Sequence, residues 1–466
     1  MKTWNQLLVQ YGWMLTEEKT NVFQTKNETI ENMDFLIECL AKAQVNFSYQ
    51  GSKLVIHDAP LSEQEWIKAI DFKYRGRGEG LWFRPGIDAP KVRELDTYIA
   101  GIVRQLNRLG FHTMGSCDGH ERNAAYVMIQ KGRDMEELTQ MLLALGVKHV
   151  HTRERANHYS VSFHQNRTEL LATAEKMSFV QEAWLEKGFN FIKEQMFYKL
   201  LEELLSIPGV SGHEGKVRDF VKKKMEPLVD KIAVDRNGNL LAEKTYKTGI
   251  GPTILLNAHL DIAYELEPNR SILKNNHIWS SSEGILGADD RAGVAVLVHM
   301  AEHLLHTSDF NGKVKYIFTV KEECGLVGAQ GVDEYFLWGT DAAIVVDRRG
   351  SSDIVVSCGG YIPFCDPCYG EFFETTATQE GLAEWKCTPG GSSDTRIWAS
   401  HGIQSVNVSA GYRNEHTEDE CLDVAACYRV TKLLKGVFSR ANELRRVLRL
   451  IERRGSVEAI LEDVKR

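Results

Sequence analysis

The sequence predicts an α/β fold, a mixed central sheet flanked by helices, with a separate N-terminal α+β domain. Three observations carry this. From about Leu200 onward, long apolar stretches alternate with amphipathic helical ones, the pattern of a sheet covered by helices. The first 190 or so residues are more polar and their apolar runs are shorter. With 466 residues, 43% of them apolar, the chain can bury two or three cores. The division is expected as residues 1–195, of unassigned role, and residues 196–466, carrying the chemistry.

In the first part, "VNFSYQGSKLVIHD" reads as a hairpin turning at Gln50-Gly51. A helix from Lys91 to Leu109, strands near Phe111 and Ala124, a helix from Met135 to Leu145, a strand pair near His149 and Tyr159, and a helix from Thr168 follow. In the second part, "KVRDFVKKKM" puts Val217, Phe220, Val221 and Met225 on one helical face, with Ser211 and Glu214 as a capping box before it. "IAVDRNGNLLAE" reads as a hairpin with Asn237-Gly238 as a two-residue turn. "TILLNAHLD", "KVKYIFTVKEE", "AAIVVD" and "QSVNVSAG" are buried-strand candidates, and "DRAGVAVLVHMAEHLL" is a helix apolar enough to pack into the sheet.

Composition excludes several classes. No apolar run reaches the roughly 18 residues of a membrane span, and "MKTWNQLLVQYGW" lacks the apolar core of a signal peptide. Nine cysteines without framework spacing fit free thiols in a reducing compartment, so a cytoplasmic location is expected. A net charge of -8 gives no electrostatic reason to bind nucleic acid or membrane.

The ends of the strand candidates carry an ordered set of imidazoles and carboxylates: His259 and Asp261 in "NAHLDIA", Asp289 in "GILGADDRAG", Glu322 and Glu323 in "FTVKEECGLVG", Asp347 in "IVVDRRG", and His416 in "NEHTEDE". Functional crevices of open α/β sheets lie beyond the carboxyl ends of strands. Mixed imidazole and carboxylate donors suit zinc or a similar ion, and carboxylates alone would suit magnesium or calcium. Two ions close together need a shared carboxylate, for which Asp289 is the natural candidate. Asp261, two residues after His259, can orient its ring. At the strand's end Glu323 then turns to a metal, and Glu322 serves as general base toward the activated water.

These pieces resemble the co-catalytic dizinc exopeptidase clan over roughly Lys199 to Leu434, most closely the glutamyl (tetrahedral) aminopeptidase family, with "LGADDRAGVA" nearest to peptidase T. The resemblance rests on "SIPGVSGHEGKVRDF", "DRNGNLLA", "NAHLDIA", "LGADDRAGVA", "KEECGLVGAQG", "VVDRRG", "GGSSDTRIW" and "GYRNEHTEDE", which occur in this order. It implies a dizinc aminopeptidase-like fold, with His259 and Asp347 on one metal, Glu323 and His416 on the other, Asp289 bridging, Glu322 as base and Asp261 behind His259. It implies two divalent ions per chain, zinc first, with cobalt or manganese as alternatives. Clan members commonly carry an inserted lid or dimerisation domain in one of two gaps. Here Asp289 follows His259 by 30 positions and His416 follows Asp347 by 69, too little for one in either gap. Residues 1–195 are therefore the candidate lid, with the Cys117 to His120 stretch as its candidate nearest part.

Other residues have blander expectations. "CGGYIPFCDPC", with Cys358, Cys365 and Cys368, and Cys387 downstream, reads as thiols on a strand and loop rather than a zinc site. Cys324 reads as a small apolar residue under the site. In "HTMGSCDGHERNAAYV", His112, Cys117, Asp118 and His120 surround a hairpin whose Asp118-Gly119 pair is an ordinary turn, with an accessory metal or gating role as the alternative. Arg413 can pair with a structural acid or with a substrate carboxylate. "SRANELRRVLRLIERRG" is expected as a surface helix or oligomer contact through Leu444, Val447, Leu448 and Ile451.

The expected activity is a metal-dependent aminopeptidase cutting short peptides, with homo-oligomers allowed. The alternatives are a dipeptidase or N-acyl amino acid deacylase on the same fold, and a non-catalytic ligand-binding protein.

Overall fold

The computed structural model describes residues 2–71 and 85–465. The chain divides into two compact units, Met1–Met196 and Phe197–Arg466, and the division falls inside the helix Gly188–Leu205.

The first unit holds two four-stranded antiparallel sheets. One orders its strands Thr16–Lys19, Val22–Gln24, Lys53–Ile56, Phe47–Gln50, and the other Thr113–Cys117, Ala125–Gln130, His158–Phe163, Val150–Glu154. Each has its own core. Trp4, Trp13 and Trp66 pack together at the first, and Ile102, Val127, Leu142 and Val161 at the second. The sequence pattern predicts a helix from Lys91, but the α-helix is Ala100–Arg108, preceded by a short 3-10 turn at Val92–Glu94. Between them the chain bends at Asp96, whose carboxylate accepts the amide of Asp118 at 3.1 Å. The Asp96 carbonyl accepts the amides of Ile99 and Ala100 where the helix begins, so Asp96 joins the helix start to the turn at Asp118.

The second unit is built on a nine-stranded mixed sheet. Its centre is four parallel strands in the spatial order Gly312–Thr319, Thr253–His259, Ala342–Arg348, Gln404–Ser409. These are the four apolar stretches singled out in the sequence. Burial on both faces explains why they read as nearly continuous apolar runs. The helix Ala288–His306 packs behind the sheet, with almost every residue of its first four turns buried. The chain leaves His259 for the neighbour on one side, Gly312–Thr319, and then crosses to the other side at Ala342–Arg348. Such a reversal opens a crevice at the strand ends.

Two local expectations are corrected. The strands Lys231–Val234 and Leu240–Tyr246 are joined by five residues, not two, because the Asp235 side chain folds back to accept the amides of Asn237 and Asn239. Helix Gly215–Met225 has no side-chain cap. The Ser211 hydroxyl instead donates to Asp261, and Glu214 accepts the amides of Gly212 and Lys321. The C-terminal helix Ala441–Lys465 packs Leu444 and Leu448 on the unit's core. Among the described residues no helix is long and apolar enough to cross a membrane.

Candidate metal centre

The strand Thr253–His259 delivers His259 to its carboxyl end, where the ring is 2% exposed. Its Nδ1 lies 3.1 Å from the main-chain carbonyl oxygen of Asp261 and 3.5 Å from that residue's carboxylate. Asp261 therefore orients the ring, and its carbonyl is the nearer contact. With Nδ1 so occupied, Nε2 faces Asp289 at 3.0 Å and Asp347 at 3.5 Å.

Asp289 sits at the start of the helix Ala288–His306 in a non-helical conformation. One of its carboxylate oxygens is 3.0 Å from His259 and the other 3.3 Å from Nε2 of His416. His416 in turn lies 2.6 Å from Glu323. One carboxylate thus stands between two imidazoles, with Asp347 on one flank and Glu323 on the other.

The two adjacent glutamates do not continue the strand. Gly312–Thr319 ends before them, Lys321 turns in the left-handed region (φ 52°), and the amides of Glu322 and Glu323 both donate to Asp261, at 3.0 and 3.1 Å. With the Ser211 hydroxyl at 2.7 Å, Asp261 accepts three hydrogen bonds outside the His259 contact. Burial alone would raise its carboxyl, but His259, Ser211 and the Glu322 amide hold it at about 2.

The electrostatics describe a site short of positive charge. Burial pushes Glu322 up to about 9, aided by the charges of Asp347, Asp394 and Glu323. Asp347 is raised to about 7 by burial and then by Asp289 and Asp394. Burial would lower His259, yet Asp347, Asp261 and Asp289 drive it well above its ordinary value. His416 is raised to about 11 by its hydrogen bonds to Asp289 and Glu323. Burial thus raises Glu322 and Asp347, while His259 and His416 gain from Asp289, whose own carboxyl they hold below its ordinary value. The donor set fits divalent ions. His259, Asp289 and Glu323 offer ligand atoms within 4.8 Å of one another, and so do His259, Asp290 and Asp347.

Asp290 is a further carboxylate of the centre that the sequence pattern does not single out. It is fully buried, accepts the amides of His259 and Gly293, and burial raises it well above the carboxylate range. Three more residues shape the centre. The Glu420 carboxylate accepts the amides of Gly287, Ala288 and Asp289 at 2.7 to 3.1 Å, fixing the helix start that carries Asp289. The Tyr412 hydroxyl donates to Asp347 at 3.0 Å. Asp394, buried beside Thr319, is raised to about 6 mainly by burial. Glu420 and Asp394 lie within quoted motifs, "NEHTEDE" and "GGSSDTRIW", and an acid in each was the available signal.

The other candidates separate cleanly. Cys324 is exposed, so it is not an apolar residue beneath the site. Cys365 and Cys387 are free thiols that burial pushes up to about 12, and neither belongs to a metal-type cluster among the described residues. Cys117, Asp118 and His120 do form such a cluster, with Asp96.

The parallel strand ends of the sheet thus gather imidazoles and carboxylates about one aspartate, Asp289. Residues 264–433 match the M42 glutamyl aminopeptidase family, which bears out the resemblance to the dizinc exopeptidase clan. The chain is 28% identical over 151 residues to the uncharacterised protein YqjE of Bacillus subtilis, covering 30% of this chain and 40% of that one. It is 25% identical over 176 residues to peptidase T of Clostridium botulinum, covering 34% and 42%. The chain therefore spans less than half the length of these two relatives. The crystal structure of aminopeptidase PepT from Bacillus cereus superposes with a TM-score of 0.48 at 17% identity, over 53% of this chain and 99% of that one.

Proposed function

We propose that this chain is a metal-dependent aminopeptidase acting on short peptides. The observation that carries the reading is Asp289, with one carboxylate oxygen toward His259 and the other toward His416. That placement supports two divalent ions sharing Asp289, one held by His259 and Asp347 and the other by Glu323 and His416. Zinc is the first choice for these donors, with cobalt or manganese as alternatives. When bound, the ions would polarise the scissile carbonyl and bring water's pKa toward roughly 7.

The chain's own groups do the rest. Glu322 takes a proton from the attacking water and returns it to the leaving amine. Burial raises its carboxyl to about 9, and bound dications would lower it. Asp261 holds the backbone of Glu322 and Glu323 and the ring of His259 in one frame, so base and ligands keep their spacing. Glu420 does the same for Asp289.

The deacylase and dipeptidase alternatives need a cation for the substrate carboxylate, and Arg413 was the candidate. Arg413 follows Tyr412 in a short strand. Tyr412 is buried and reaches Asp347, whereas Arg413 is exposed. This favours the aminopeptidase. Assay of amino-acid arylamides, short peptides and N-acetyl amino acids with zinc, cobalt or manganese should give cleavage of free-amine substrates only. Turnover confined to N-acetylated substrates would overturn the reading.

Residues 1–195 are proposed to limit the substrate to short peptides, since neither insertion gap has room for a lid. A fragment starting near Lys199 should keep its metals and lose the preference for short chains, with lower kcat. Equal rates for fragment and whole chain at every peptide length would remove that role.

A further inference from the structure

The strand Thr113–Cys117 ends in a turn that carries three metal-type donors, the thiol of Cys117, the carboxylate of Asp118 and the imidazole of His120. Asp96, from the bend before helix Ala100–Arg108, completes the group, and the four ligand atoms lie within 4.8 Å of one another. His120 places Nδ1 3.1 Å from Asp118 and Nε2 3.8 Å from Asp96. Tetrahedral zinc, with bonds of about 2.0–2.3 Å, has ligand-to-ligand edges of about 3.3–3.8 Å. An imidazole binds an ion through one nitrogen, and the Nε2 contact with Asp96, at 3.8 Å, lies at the top of that range.

The charge balance points the same way. Asp96 and Asp118 are only 8% and 7% exposed. The described side-chain partner of both carboxylates is His120, whose side chain is 65% exposed. Two neighbouring buried carboxylates repel each other, and a bound cation relieves that repulsion. The Asp118 amide donates to Asp96, the Gly119 amide to the Cys117 sulfur at 3.4 Å, and the His120 amide to Asp118 at 2.9 Å, so three of the four donors are held by backbone groups.

We propose that Asp96, Cys117, Asp118 and His120 form a four-ligand site for a zinc-type divalent cation in the first unit. Sulfur, nitrogen and oxygen donors together select zinc or cobalt over magnesium or calcium. Four protein ligands leave no open position for a substrate, so the ion ties the turn after Thr113–Cys117 to the start of the Ala100–Arg108 helix and does no chemistry. The site stands or falls separately from the peptidase reading, because it shares no residue with it.

Cobalt titration of the full chain, stripped with chelator, tests it. A thiolate ligand gives cobalt a sulfur-to-metal charge-transfer band in the near ultraviolet, which carboxylate and imidazole ligands lack. The wild-type chain should show this band, His416→Ala should keep it, and Cys117→Ser should lose both the band and one equivalent of bound metal. His120→Ala, at an exposed position, should weaken cobalt binding at that band by at least about tenfold. No band in the wild type at saturating cobalt, or an unchanged band in Cys117→Ser, overturns the site. If Cys117→Ser does not fold by circular dichroism, His120→Ala decides: unchanged affinity at the band overturns the proposal, and weakened affinity upholds it.

Discussion

Among the described residues both units carry metal-type donors, one group in the first and two that share His259 in the second, and the units build them on different plans. In the second unit the donors come from separate chain segments that the parallel sheet brings to its strand ends. His259 is 2% exposed, and hydrogen bonds accepted by Asp261 and Glu420 hold the frame around it. In the first unit three donors come from a single turn, and its imidazole is mostly in solvent. The difference teaches that donor types alone do not assign a role. A sheet can hold ligands rigidly and still leave a crevice for a substrate, whereas a turn closed by one distant carboxylate surrounds its ion.

Three substitutions probe that contrast in the second unit, in falling order of expected effect. Glu322→Gln should keep bound metal and lower turnover by roughly a hundredfold or more, since it removes the base and spares the ligands. Steady-state kinetics beside metal analysis checks this. Near-normal turnover would mean the strand-end pair is structural, as the turn in the first unit is.

Asp261→Asn should reveal how firmly the frame is held. Asp261 falls from 3.8 to about 2 on folding. A depressed carboxyl stabilises the fold above its unfolded value and loses that contribution as pH drops through the folded one. The shift corresponds to about 2–3 kcal/mol at neutral pH. Urea unfolding of the ion-free protein should show the variant less stable by about that amount at pH 7, with the gap closing between about pH 4 and pH 2. A gap that persists at pH 2 would contradict this.

Tyr412→Phe should give the smallest change. It removes one hydrogen bond to Asp347, and such outer contacts tune metal affinity by about tenfold or somewhat more. Competition with a chromogenic chelator measures it, and an unchanged affinity would show that Asp347 is positioned without the hydroxyl.

Much of this was legible in the sequence. The four central strands announced themselves as continuous apolar runs, because both their faces are buried. The donors that the structure gathers at their ends were readable as an ordered series, since a parallel sheet aligns strand ends. Asp290, Glu420, Tyr412 and Asp394 were not assigned roles. Each acts through a contact with a residue remote in sequence or through burial that only packing creates, as when Glu420 reaches 131 positions back to the Asp289 amide. The same limit applies to Ser211, which local pattern made a helix cap and tertiary structure turned toward Asp261. In the first unit the helix starts at Ala100 rather than Lys91, beside a contact of Asp96 with the remote Asp118.

The central claim is that Asp289 bridges two ions. Anomalous diffraction at the zinc edge from zinc-saturated crystals of the full chain tests it most directly. The account predicts two peaks in the second unit about 3.5–4 Å apart, with Asp289 between them, His259 and Asp347 on one and Glu323 and His416 on the other. A single peak there, no peak, or a pair without Asp289 between them would contradict it.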